Sequence, residues 1–237
     1  MENLYIVIPA YNERDTIRDV IEQWYPIVKK IGTDSRLVIV NDGSKDDTFE
    51  IMQQLAKSRP QFIPITKPNG GHGATILYAY NYALRSGADY IFQTDSDGQT
   101  LPEEFWPFWE ERKNYDMVIG SRGNRQDGAS RIFVTKVLKL TLLANFRVVV
   151  TDANTPFRLM ESKTLKKYIG LIPKDFNLSN VIMSVIYAKK GLRVKYIPIT
   201  FRPRLGGVNS INLKKILGIG VRALKDFRTI NKTLDKV

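Results

Sequence analysis

Two carboxylates, Asp95 and Asp97, stand one residue apart in the stretch IFQTDSDGQT (91–100), directly after the apolar Ile91 and Phe92. Carboxylates this close repel each other unless a cation or hydrogen-bond donors lie between them. Hard divalent ions take oxygen ligands, and Mg2+ typically takes one or two carboxylates completed by substrate phosphates. The pair therefore suits an ion that bridges the phosphates of a nucleotide and neutralises charge on a departing diphosphate. A plainer use also exists: one Asp caps the helix beginning near Pro102 while the other closes an Asx turn. An Asp-x-Asp triplet alone does not separate the two, so its setting has to.

That setting is an alternation of short apolar runs and amphipathic stretches. LYIVIPA (4–10), RLVIV (36–40), FIPIT (62–66), DYIFQT (89–94) and DMVIGS (116–121) read as buried strands. Between them Ile17, Val20, Ile21 and Trp24, then Phe49, Ile51, Met52 and Leu55, then Ile76, Leu77, Tyr80 and Leu84 recur at helical spacing. Asn12 and Ser44 are placed to cap the first two helices. Strands alternating with helices predict an α/β protein with a mostly parallel sheet covered on both faces. Such sheets bind ligands outside the carboxyl ends of their strands. Four polar clusters fall at those ends: Pro9–Glu13, Asn41–Ser44, Asp95–Asp97 and Gly120–Arg122.

The second half is less regular. Residues 129–150 read as a largely apolar helix, with its end a candidate strand, and 151–160 as a loop entering a strand. A helix over 178–191 stops at Gly191, and RVKYIPITF (193–201) alternates as a strand. The last helix, 212–234, carries Leu213, Ile216, Leu217, Val221, Leu224 and Phe227 on one face. No linker, repeat or low-complexity segment interrupts the 237 residues, and one domain is the simplest reading.

Charge and cysteine content narrow the classes. Lys and Arg number 36 against 24 Asp and Glu, a net charge of +12, which favours polyanionic partners such as phosphorylated substrates, anionic lipid or nucleic acid. Residues 201–237 hold nine basic and two acidic residues. Cysteine is absent, so disulfide and thiolate chemistry are excluded and a reducing compartment is suited. No apolar run approaches the roughly 18 residues of a spanning helix, and the first residues lack a signal-peptide pattern. The expectation is a soluble or peripheral intracellular protein.

VIPAYNE, VNDGSKDDT, NGGHGAT, DSDGQ and GSR follow one another in the order and spacing of the large second family of inverting glycosyltransferases, and over residues 1–125 the chain resembles that family. Further on, DANTPFRLM is similar to its Asp-then-Gly-Phe-Arg segment, and FRPRLGG followed by NS to its late Arg-x-x-Gly-x-Ser segment. Within the family the pattern most resembles the dolichol- and polyprenol-phosphate mannose and glucose synthases. The resemblance implies a GT-A fold, Rossmann-like with a mostly parallel central sheet and helices on both faces. It implies one glycosyltransferase domain over 1–237, with 1–125 binding the nucleotide sugar. Residues 126–237 would then bind the acceptor and end in the amphipathic helix.

For the site, the resemblance implies that Pro9, Ala10, Tyr11, Asn12, Glu13 and Asp42 hold the nucleoside. Tyr11 offers a stacking face, and Asp42 can accept hydrogen bonds from a uracil or guanine edge. Gly71 brings backbone donors to an anion at a helix start. Asp95 and Asp97 are the expected metal pair for Mg2+ or Mn2+, with Ser96, Gln99 and Arg122 beside the nucleotide sugar. Asp152 matches the position of a general base, which a hydroxyl acceptor needs. A phosphate monoester acceptor is largely dianionic, with a second pKa of about 6, and needs cations more than a base. Arg122, Arg131, Arg158 and Arg204 are the candidates for that task, the last three backed by motif position, with Arg125, Lys136 and Arg202 as further candidates. Each arginine also has the plain reading of a surface charge, and Asp42 that of a turn residue. The chain departs from the family at Asn41, His72 and Pro156, and by one extra residue between Gly207 and Ser210.

The expected activity is transfer of a sugar from a UDP- or GDP-sugar to an acceptor, with polyprenyl (dolichyl or undecaprenyl) phosphate favoured. A sugar hydroxyl in cell-surface polysaccharide synthesis and a non-catalytic, basic, membrane-associated relative are the alternatives. A nucleotidyltransferase is disfavoured because PAYNERD is not a Gly-rich, Arg- and Lys-bearing loop. A nucleic-acid-binding protein is disfavoured because no such motif is present. The last helix either lies on a membrane or packs on the domain, and a membrane-embedded partner is a third option. The expected location is cytoplasmic, with any membrane contact peripheral and on the cytoplasmic face.

Overall fold

A computed structural model describes residues 2–122, 129–202 and 226–235, with side chains from 137 onward in the second stretch. The elements run β1 (Leu4–Ala10), α1 (Ile17–Ile31), β2 (Arg36–Asn41), α2 (Thr48–Ala56), β3 (Phe62–Thr66), α3 (His72–Arg85) and β4 (Tyr90–Gln93). They continue with α4 (Phe105–Glu110), β5 (Met117–Ser121), α5 (Ala129–Phe146), β6 (Arg158–Glu161), α6 (Ser162–Tyr168), α7 (Ser179–Lys189) and β7 (Val194–Pro198). A further helical segment covers 226–234.

Among the described residues, seven strands form one sheet in the order β3-β2-β1-β4-β6-β5-β7. Strand β6 runs antiparallel to β4 and β5, and the other pairings are parallel. The carboxyl ends of the parallel strands and the amino end of β6 therefore share one edge. That is the mostly parallel, two-faced GT-A arrangement expected from the sequence.

Central β1 is buried along its whole length because both faces are covered. Its alternate residues enter different cores: Tyr5 and Val7 pack with α3 and α7, and Leu4, Ile6 and Ile8 with α1. Beneath β4, Phe92 packs edge-on against Phe157 (centroids 4.7 Å apart), Phe105 (5.0 Å) and, tilted, Trp24 (5.4 Å). Such aromatic clusters add to the burial of their area, and this one anchors the strand that delivers Asp95.

The structure corrects several expectations. Helix α1 starts after Thr16, not Asn12, and neither Asn12 nor Ser44 caps a helix. Helix α6 carries no strong period and was not foreseen. Residues 147–150 form no strand. Of the last helix only 226–234 is described, and Phe227, Ile230 and Leu234 there are buried. Phe227 meets Phe146 (5.4 Å) and Phe176 (5.9 Å), so this part of the apolar face packs on the domain.

Candidate active site

The loops at the shared edge are tied together by hydrogen bonds, so the site is a closed set of contacts. The first loop needs Asn12 in the left-handed region (φ 54°), which Asn tolerates better than most residues. Its amide donates to Ser44 Oγ (2.9 Å), and its Oδ1 accepts from the Lys45 amide (2.9 Å). Glu13 is buried. Its amide donates to Thr48 Oγ1 (2.8 Å), and its carboxylate accepts from Thr16 Oγ1 (2.9 Å). The Thr16 hydroxyl also lies 3.1 Å from the carbonyl of buried Ser96, linking the first loop to the carboxylate pair. Pro9 and Ala10 end β1 in register with Val40 and Asn41, and Tyr11 is exposed beside them.

Asp42 is buried at the end of β2. Its Oδ1 accepts from the Gly70 amide (2.8 Å) and its Oδ2 from the Gly71 amide (2.9 Å). Lys67 forms an ion pair with Oδ1, and Asn69 Nδ2 donates to the Asp42 carbonyl (2.8 Å). The carboxylate therefore holds the Gly-rich loop in place as well as facing this edge. Gly43 has φ 64°, and a Cβ there would stand 2.9 Å from the Asn69 nitrogen, so only glycine lets the two loops meet. Lys67 and Asn69 were missed by sequence reasoning, although Lys67 directly follows a strand, where the acidic clusters also lie.

His72 opens α3, and its Nε2 lies 3.1 Å from Asp95 Oδ1. Desolvation pulls its pKa down, but 52% of the side chain stays open to solvent, so that penalty is partial. Attraction to Asp95, the hydrogen bond to it, and the charges of Asp97 and Asp42 raise the imidazole above its ordinary value. Asp97 accepts the Gln99 amide at 3.1 Å in an Asx turn, with Gly98 at φ 69°. Gln99 also reaches across the edge: its Nε2 donates to the Arg202 carbonyl (2.8 Å), and the Arg202 amide donates to the Gln99 carbonyl (2.8 Å).

These donors fit a hard divalent ion. Among the described residues no group of three or more His, Cys, Asp or Glu side chains is gathered for a metal. Asp95 and Asp97 are the carboxylates at this edge that could hold such an ion, with phosphates completing its shell.

At the far side of the edge, Arg122 and Asp152 form a two-point pair. Arg122 Nε donates to Oδ2 (2.9 Å) and Nη2 to Oδ1 (2.8 Å). The Arg122 guanidinium also sits 5.1 Å over the Phe201 ring.

Arg158, expected to clamp a phosphate, has no exposed surface. Its guanidinium donates to the carbonyls of Thr155, Asn180 (3.0 Å) and Ala153 (3.3 Å). Burial lowers its pKa, and neighbours including Tyr80 and Asp152 act against that. It is a positioning residue for the segment that carries Asp152. Arg204, Arg125 and the side chains of Arg131 and Lys136 lie outside the described residues.

Comparison with known proteins identifies the family and the fold. The model of glycosyl transferase family 2 matches residues 5–169. An undecaprenyl-phosphate 4-deoxy-4-formamido-L-arabinose transferase of Pseudomonas fluorescens (strain Pf0-1) is 31% identical over 150 residues, 62% of this chain and 43% of that protein. The protein of the same name from Pectobacterium atrosepticum is 29% identical over 202 residues, 80% of this chain and 61% of its own. The chain thus spans about half the length of the curated relatives it matches. Among solved structures, glucosyl-3-phosphoglycerate synthase of Mycobacterium tuberculosis with Mn2+, UDP-glucose and glycerol 3-phosphate aligns with a TM-score of 0.70. It shares 18% identity and covers 98% of this chain and 80% of that one.

Proposed function

The chain belongs to glycosyl transferase family 2, and from that premise we propose that it transfers a sugar from a UDP- or GDP-sugar to polyprenyl phosphate, with inversion at the anomeric carbon. Residues 1–125 would bind the donor and 126–237 the acceptor. The first loop and Asp42 would hold the nucleoside, with Tyr11 as the exposed ring beside the base. Gly71, Ser96 and Gln99 would line the diphosphate. Asp95 and Asp97 would hold Mg2+ or Mn2+, which when bound offsets charge on the leaving diphosphate.

In the reaction, an acceptor phosphate oxygen attacks the anomeric carbon from the face opposite the diphosphate. The carbon–oxygen bond to the diphosphate breaks, and its electron pair leaves with that oxygen. The acceptor brings its own anionic oxygen, so no side chain has to take a proton.

The observation that carries this choice of acceptor is the Arg122–Asp152 pair. A carboxylate gripped at both oxygens by a guanidinium is engaged as an ion-pair partner and is poorly placed to take a proton from an acceptor hydroxyl. That suits poorly a hydroxyl acceptor needing a base, whereas an anionic phosphate acceptor needs none. The curated relatives named for undecaprenyl phosphate support the same acceptor. The site would work at the cytoplasmic membrane face, although no described helix is long and apolar enough to cross a membrane.

The test is a transfer assay with labelled nucleotide sugars, offering a short, water-soluble polyprenyl phosphate or the matching polyprenol. Product with the phosphate alone is expected. Equal transfer to polyprenol or to sugar hydroxyls would overturn the reading.

A further inference from the structure

Gln93 is a polar side chain in an apolar place. It ends β4 and has no exposed surface. Ile91, two residues before it on the same face, and Val7, beside it on β1, both belong to the apolar core covered by α3 and α7. Gln93 Oε1 accepts from the Tyr80 hydroxyl of α3, and its Nε2 has no hydrogen-bond partner among the described residues. Burial pushes the Tyr80 hydroxyl's pKa up, so it stays protonated and donates. A buried amide with part of its capacity unmet costs stability that a methionine of similar size would not.

The position of the pair gives it a use. Tyr80 stands eight residues, about two turns, after His72 on α3. Gln93 stands two residues before Asp95. Helix and strand are therefore bridged at two levels, His72 to Asp95 at the site edge (3.1 Å) and Tyr80 to Gln93 beneath it. The packing around the lower bridge is apolar and non-directional, and by itself lets a helix slide or roll on a sheet. A hydrogen bond tolerates little change in distance or angle, so the lower bridge sets the height and rotation of α3 against β4. Gly71 stands at the start of α3, and its amide with that of Gly70 holds Asp42. On its other side Gln93 lies opposite Arg158 of β6, which ties down the segment carrying Asp152.

We propose that Tyr80 and Gln93 are positioning residues, whose buried hydrogen bond sets Asp95 against the start of α3 so that the carboxylate pair meets a cation in one geometry. Neither touches substrate. The inference rests on the reading of Asp95 and Asp97 as ligands to a divalent ion, and adds the pair that holds them in place.

A positioning pair differs from a packing detail in what a double replacement restores. Exchanging both partners for apolar groups of the same shape recovers stability but not direction. The test follows thermal unfolding, and calorimetric titration with Mn2+, alone and with UDP or GDP present. The variants are Tyr80→Phe, the double variant Tyr80→Phe with Gln93→Met, and Ile76→Val as a control in the buried face of the same helix. Tyr80→Phe leaves Gln93 Oε1 unpaired, and its Tm should fall by about 2–4 °C. The double variant should return to the Tm of the unaltered protein or exceed it. Both should bind Mn2+ about tenfold more weakly, as when an outer support of a metal site is removed. Ile76→Val should lower Tm by a similar amount and keep its Mn2+ affinity.

Recovery of both Tm and Mn2+ affinity in the double variant would overturn the proposal. So would an equal loss of Mn2+ affinity in Ile76→Val, a comparison that stands whether or not the double variant folds. Mn2+ binding by the unaltered protein with equal affinity in every variant would sink this inference alone. Failure of the unaltered protein to bind Mn2+ under any of these conditions would overturn the metal reading and this inference with it.

Discussion

Arg122 grips Asp152 through two parallel hydrogen bonds, of 2.9 Å and 2.8 Å, across a gap of thirty residues in sequence. The pair joins the end of β5 to the segment entering β6 and brings a cation and an acid to the same place. If Asp152 serves to set Arg122 rather than to take a proton, Asp152→Asn keeps one acceptor for the guanidinium and costs little. The expected loss in kcat with a phosphate acceptor is about tenfold or less. Removal of a true general base would cost about 10²–10⁴-fold. Steady-state kinetics on this one variant separates the two.

Asp42 holds the amides of Gly70 and Gly71 together with Lys67. Asp42→Ala leaves two part-buried backbone donors and a cation without their acceptor, and because water can reach these donors the cost of each is about 1 kcal/mol. Both stability in urea and affinity for the nucleotide sugar should fall. Full stability with lost affinity would confine Asp42 to base recognition.

Arg158→Met should act on the fold. It removes the donors to three carbonyls at a site with no solvent access. A loss of about 1–3 kcal/mol is expected, chiefly from the Thr155 carbonyl, since Ser184 Oγ also reaches those of Ala153 and Asn180. Denaturant unfolding checks it. An unfolding midpoint like that of the unaltered protein, joined to dead activity, would return Arg158 to a contact with substrate.

Gly73 lets α3 press against the loop before α7. A Cβ there would stand 2.2 Å from the Phe176 carbonyl oxygen and 2.6 Å from that of Asn177. Gly73→Ala must push backbone away, so a loss of about 1–3 kcal/mol is expected despite the better helix propensity of alanine. A raised Tm would contradict the packing described.

The strands and the edge they share were legible because buried parallel strands are short apolar runs and their polar ends stand out. LYIVIPA and RLVIV became β1 and β2 with little shift. The grouping of Asp42, Asp95 and Asp97 followed from position alone. Partners were not legible. Nothing in NGGHGAT says that its amides turn back onto Asp42, since that contact is made by the fold across 28 residues. Arg158 misled because a motif position gives the residue type but not its burial. Asn12 misled because a side chain suited to capping can equally bridge two loops, and here it does.

In the proposed function Asp95 and Asp97 hold a divalent ion under a nucleotide sugar. The direct measurement is calorimetric titration with GDP-mannose, UDP-glucose and UDP-N-acetylglucosamine, with and without Mn2+, on the unaltered chain and on Asp97→Ala. Binding of one donor is expected to need Mn2+ and to fall about tenfold or more in the variant, because a charged ligand to the ion is removed. Donor binding that ignores both Mn2+ and the substitution would contradict it.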